Sequence, residues 1–160
     1  MCDYSLCGIP NRLAVEREEL VVYRFSTGSI GMASLADLRV CEEIRKAVPR
    51  KTFWQAVKAF FEEPSQVATP PAVCIPPGAR LIVRNIPEDL QRRFRIGQEE
   101  AVVFTQLSSE FNSYRDAIRF RGDREVRLQD LREGMPVQVL SLENASEEYA
   151  PPSVTVDSLA

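Results

Sequence analysis

The sequence predicts an α+β fold: a mainly antiparallel β-sheet or small open barrel with a two-helix insertion at about residues 34–63. Three observations point there. Runs rich in β-branched and aromatic residues recur, several of them just after a glycine: Gly78-Ala79-Arg80-Leu81-Ile82-Val83, Gly97 before Ala101-Val102-Val103-Phe104, and Gly134-Met135-Pro136-Val137. Between residues 34 and 63 the apolar spacing lengthens to three and four, the period of a helix. The chain has 160 residues, 44% hydrophobic and 27% charged, enough for one domain that buries roughly 70% of its unfolded surface.

The elements follow in order. Leu20-Val21-Val22-Tyr23-Arg24-Phe25 reads as a strand, and Ser26-Thr27-Gly28-Ser29 supplies the turn after it. That loop lacks the glycine and lysine spacing of a phosphate cradle. Ser34 is the expected N-cap of a helix from Leu35 to about Val48, with Leu38, Cys41, Ile44 and Val48 on its core-facing stripe and Pro49 as its stop. Thr52 caps a second helix, Phe53 to Glu63, whose apolar face gathers Phe53, Trp54, Val57, Phe60 and Phe61. This face packs on the sheet or, because three Phe and the only Trp of the chain load it heavily, docks a partner protein.

After the proline-rich stretch 64–71, short strands are expected at Val73–Ile75, Arg80–Ile86, Glu100–Leu107, Ala117–Phe120, Glu125–Leu128 and Met135–Leu142. Arg121-Gly122-Asp123 forms the tip of a hairpin, not an adhesion motif. Residues 1–142 make one domain. The segment 143–160 is an acidic, proline-broken tail.

Composition narrows the function. The net charge of −3 gives no global pull toward nucleic acid. No apolar run approaches the ~20 residues of a membrane-spanning helix. Asp3, Gly8 and Pro10 are unlike a signal peptide, so four cysteines read as reduced thiols in a cytoplasm. There is no histidine, which removes the commonest general base and neutral metal ligand. Adjacent carboxylates such as Glu18-Glu19, Glu42-Glu43 and Glu99-Glu100 point apart and read as solvated surface. Arg92-Arg93-Phe94-Arg95 reads as a surface loop salt-bridged to Glu88, Asp89, Glu99 and Glu100.

The thiols are the remaining chemistry. Removal of Met1 would leave Cys2 with a free α-amine beside its thiol, the pairing used by N-terminal-nucleophile hydrolases. No glycine motif of that class follows it. Cys2, Cys7, Cys41 and Cys74 are the candidate ligands for zinc or an iron–sulfur cluster, although only Cys2 and Cys7 approach knuckle spacing.

Met1-Cys2-Asp3-Tyr4-Ser5-Leu6, Ala72-Val73-Cys74-Ile75-Pro76-Pro77-Gly78 and Arg115-Asp116-Ala117-Ile118-Arg119-Phe120 resemble segments of a group of small uncharacterised bacterial proteins that open the same way. The resemblance covers about half the chain and singles out Cys2, Asp3 and Cys74 without implying a reaction. Some relatives carry histidines where this chain has Phe111, Asn112, Ser113 and Tyr114, so a metal role does not transfer. The resulting expectation is a non-enzymatic cytoplasmic accessory or protein-interaction subunit, partnered by another chain or a second copy and not by nucleic acid. The alternative is a thiol-based metal-binding or redox protein using Cys2 and Cys74.

Overall fold

The computed structural model describes residues 6, 8–47, 68–107 and 115–143. The strands are β1 (Asn11–Leu13), β2 (Glu19–Arg24), β3 (Ile30–Ser34), β4 (Ala72–Cys74), β5 (Arg80–Val83), β6 (Glu100–Gln106), β7 (Asp116–Phe120), β8 (Arg124–Arg127) and β9 (Pro136–Ser141). The helices are α1 (Leu35–Ala47) and α2 (Glu88–Phe94), and a 3-10 turn occupies Leu128–Asp130. All nine strands join one sheet in the order β1-β4-β3-β2-β9-β5-β6-β7-β8. Every ladder is antiparallel except that of β1 with β4.

The sheet is strongly two-sided because its side chains alternate. Leu20 and Val22 of β2, Leu81 and Val83 of β5, Phe104 of β6, Ile118 of β7 and Val137 and Val139 of β9 all point to one buried cluster. That cluster also takes in Ile30 and Met32 of β3 and Val126 of β8. Strands far apart in the order therefore share one interior, and the sheet curls into an open barrel. Ile86 and Leu90 close one part of it, and Leu128 and Leu131 of the 3-10 turn close another.

No ladder joins β8 back to β3. A side chain bridges that seam instead. The Gln129 Nε2 donates to the Ile30 carbonyl at 2.7 Å, and its Oε1 accepts from the Ile30 N–H at 3.0 Å. A primary amide offers the same donor and acceptor as a peptide unit, so Gln129 stands in for a neighbouring strand at that residue.

A second, smaller cluster lies on the other face of the sheet, where Leu6, Ile9, Phe25, Ala33 and Ala72 pack with Tyr23 and Leu38. The approach there is close. A Cβ on Gly31 would lie 2.9 Å from Leu6 Cδ1 and 3.1 Å from Phe25 Cε2. A side chain at 31 would therefore have to displace the ends of the Leu6 and Phe25 side chains.

The α+β class and the mainly antiparallel open sheet agree with the sequence expectation. The helices agree in part. The α1 helix is the expected first helix, and Ser34 Oγ accepts from the Ala36 N–H at 3.3 Å as an N-cap does. Its expected core-facing stripe is corrected: none of its residues is buried, and Ile44 is 48% exposed. The expected helix 53–63 lies outside the described residues, as does the tail beyond residue 143. The α2 helix replaces what reads in the sequence as a loop.

Candidate interaction surface

The first site is built where α1 meets the β1 edge of the sheet. Arg12 of β1 projects its guanidinium between two carboxylates. Its Nε and Nη2 donate to Asp37 Oδ2 at 3.0 and 2.8 Å. Its Nη1 donates to Glu18 Oε2 at 3.2 Å, and its Nη2 pairs with Glu18 Oε1. Glu18 Oε2 also accepts the Val15 N–H at 3.0 Å. One side chain thereby ties β1, the turn before β2, and the first turn of α1. Burial alone would push the Glu18 carboxyl up. The Arg12 hydrogen bonds, the Val15 amide and the Ser34 hydroxyl outweigh that and hold it below the usual carboxylate range. Arg12 is correspondingly pushed above the ordinary guanidinium value, chiefly by its hydrogen bond to Glu18.

The reading of Glu18 as solvated surface is therefore corrected, because its side chain is only 13% exposed and firmly paired. This node is unsuited to proton transfer. A general base works best near the operating pH, and Glu18 is shifted away from it.

From the node, α1 runs outward. Asp37, Val40, Cys41 and Ile44 recur at three- and four-residue spacing and so share one stripe. Leu38 turns to the second cluster. Val40 is 53% exposed, and on β1 and the following turn Leu13 and Val15 are 69% and 59% exposed. These three and Ile44 are four of the six large hydrophobic side chains left exposed among the described residues. Scattered exposed apolar residues are ordinary, but these four lie on two segments that the Arg12–Asp37 pair ties together, which makes them a candidate contact surface. The signal in the sequence is the period-two alternation of Leu13 and Val15 around Ala14, which three residues of strand made too short to read.

The residues singled out from the sequence fall in several places. Phe53, Trp54, Val57, Phe60 and Phe61 lie outside the described residues, as do Cys2, Asp3 and Cys7. Cys41 is a free thiol, partly buried on α1. Cys74 is buried at the end of β4 and is disulfide-bonded, with its partner outside the described residues. That corrects the expectation of reduced thiols at this position, since a disulfide sulfur is not a thiolate ligand. Among the described residues no group of three or more Cys, Asp or Glu side chains is arranged to hold a metal ion. No described helix is long and apolar enough to cross a membrane. Scans against protein-family models, curated proteins and solved structures found no match, so the reading of this surface rests on its geometry.

The Arg12 node makes stability pH-dependent. The folded chain holds the Glu18 proton less tightly than the unfolded chain does. Its contribution is complete above the ordinary value of 4.5 and is lost as pH falls through the depressed folded value. Urea unfolding at neutral pH and in acid should show Glu18→Gln reducing stability at neutral pH and by progressively less as the pH is lowered. An equal loss in both conditions would contradict the ion-pair role.

Proposed function

We propose that the chain is a non-enzymatic accessory subunit that docks another protein chain, or a second copy of itself, at the α1–β1 end of the sheet. The observation that carries this reading is the outward stripe of α1. None of its thirteen residues is fully buried, Leu38 alone is packed on the second cluster, and the Arg12–Asp37 pair ties the helix to an edge strand that exposes Leu13 with Val15 just after it. A helix held only by packing on its own domain buries an apolar face. Here the Arg12–Asp37 pair and the Ser34 cap fix the start of α1, while Val40 and Ile44 remain open. The sequence places Phe53, Trp54, Val57, Phe60 and Phe61 shortly after α1, and the proposed contact surface includes them.

Sedimentation velocity over a concentration series is the test. Association stronger than about 100 μM is expected for the wild type, and Val40→Glu/Ile44→Glu should sediment as monomer with its thermal midpoint retained. Unchanged association in that variant would refute this surface.

A second reading has its own observation, the Cys74 disulfide. A cytoplasmic setting is compatible with that bond only if it is made and broken there, the behaviour of catalytic or redox-sensing disulfides. The thiol alternative, built on Cys2 and Cys74, takes this form. Alkylation and intact-mass analysis of protein isolated under acid quench should then find Cys74 in both oxidised and reduced populations. A bond that stays fully oxidised, or never forms in the cell, would exclude cycling.

A further inference from the structure

The arginines of α2 do not have the partners that the sequence suggests for them. Glu99 Oε2 accepts from Arg84 Nε at 2.7 Å, and Glu100 Oε1 accepts from the Gly97 N–H at 2.7 Å. Glu88 and Asp89 occupy the first turn of α2, while Arg92 and Arg93 occupy the last. That arrangement suits the helix dipole, and although Glu88 and Arg92, and Asp89 and Arg93, are spaced four apart, neither couple forms an ion pair. Among the described residues Arg92, Arg93, Arg95 and Arg121 form no ion pair with a carboxylate.

Packing brings a second arginine-bearing element to the same place. The Phe94 ring stacks on Phe120 with centroids 6.0 Å apart and planes 18° from parallel. The Phe94 carbonyl accepts a hydrogen bond from Arg124 Nη1. Phe120 ends β7, so the turn Arg121-Gly122-Asp123 is held against the C-terminus of α2. Positive φ angles at Gly122, Asp123 and Arg95 set both backbones in tight turns. Arg92, Arg93, Arg95, Arg121 and Arg124 are all exposed, and the hairpin opposes them with only Asp123 and Glu125.

We propose that this arginine surface binds an acidic segment of a partner protein, a short extended run of Asp and Glu carboxylates. Guanidinium groups are suited to bidentate contact with carboxylates and are weakly hydrated, so they are the cations that such a segment selects. Nucleic acid fits less well. Single strands bind through aromatic platforms as well as charge, and here the aromatic pair is occupied: Phe94 stacks on Phe120, and the Arg93 guanidinium lies 5.1 Å from the Phe94 centroid. The surface adjoins β8, the sheet edge opposite β1, so the inference is independent of the α1 reading.

Fluorescence anisotropy of a labelled octaglutamate peptide with the full chain tests it. Binding is expected at low ionic strength, weakening toward about 150 mM salt. Arg92→Glu/Arg121→Glu should weaken binding by about tenfold or more, and Arg92→Gln/Arg121→Gln by an intermediate factor. Arg39→Glu/Arg45→Glu, an equal charge change on α1, should stay within about twofold of wild type. Val40→Glu/Ile44→Glu should also leave the peptide isotherm intact, which separates this surface from the α1 contact. Circular dichroism and melting confirm that each variant is folded. No saturable binding by wild type, or equal losses in the patch and α1 arginine variants, would overturn the proposal. Tighter binding of an oligothymidylate of equal charge would replace the acidic peptide with nucleic acid.

Discussion

The architecture depends on how the barrel seam is held between β3 and the 3-10 turn that follows β8. The β4 strand pairs with β3 only at Ala33, so no strand continues beside Ile30 on that side, and Ile30 is only 4% exposed. Its N–H and C=O would be buried without partners if Gln129 were absent. Each such bond contributes about 1 kcal/mol net, but an unsatisfied buried group costs about 1–3 kcal/mol. The seam therefore matters more through what its loss would expose than through what its bonds add. With it in place, Ile30 and Met32 of β3 and Val126 of β8 share one interior, and the two sheet edges are left as short strands, β1 and β8.

Short edges are the usual protection against unwanted strand pairing, and here each borders a distinct surface. At β1 the Arg12 node sets two carboxylates on one guanidinium, and Leu13, Val15, Val40 and Ile44 stay exposed among the charged residues of α1. Near β8, Glu99 and Glu100 are engaged by Arg84 and the Gly97 amide, the aromatic rings are stacked, and five exposed arginines outnumber the exposed carboxylates Glu88, Asp89, Asp123 and Glu125. A single small domain thus presents two candidate contact surfaces, without a described cluster suited to proton transfer or metal binding.

Much of the fold was legible in the sequence. The strands β2, β5, β6 and β9 carry β-branched runs with period-two burial, and the β7–β8 turn is marked by Gly122. The β3 strand was hidden because Ile30-Gly31-Met32-Ala33-Ser34 is buried on both faces, which erases alternation. Its Gly31, normally a breaker, leaves room for the ends of the Leu6 and Phe25 side chains. The α2 helix left a signal that was passed over: Pro87 ahead of Glu88 and Asp89, then Arg92 and Arg93 in the last turn. The candidate surfaces were less legible. Which arginine meets which glutamate is a tertiary matter, and spacing alone favoured the wrong pairs for Arg92, Arg93 and Arg95. Likewise the periodicity of α1 identified a stripe without showing that the sheet leaves Val40 and Ile44 uncovered.

Amide hydrogen exchange at Ile30, followed by NMR in the wild type and in Gln129→Ala, addresses the seam most directly. If Gln129 completes the barrel, the Ile30 amide exchanges as slowly as those of Val22 and Leu81 in the wild type. In Gln129→Ala it becomes fast while Leu81 and Val137 stay protected. An Ile30 amide that exchanges rapidly in the wild type, or is unaffected by the substitution, would contradict a barrel held closed at that point.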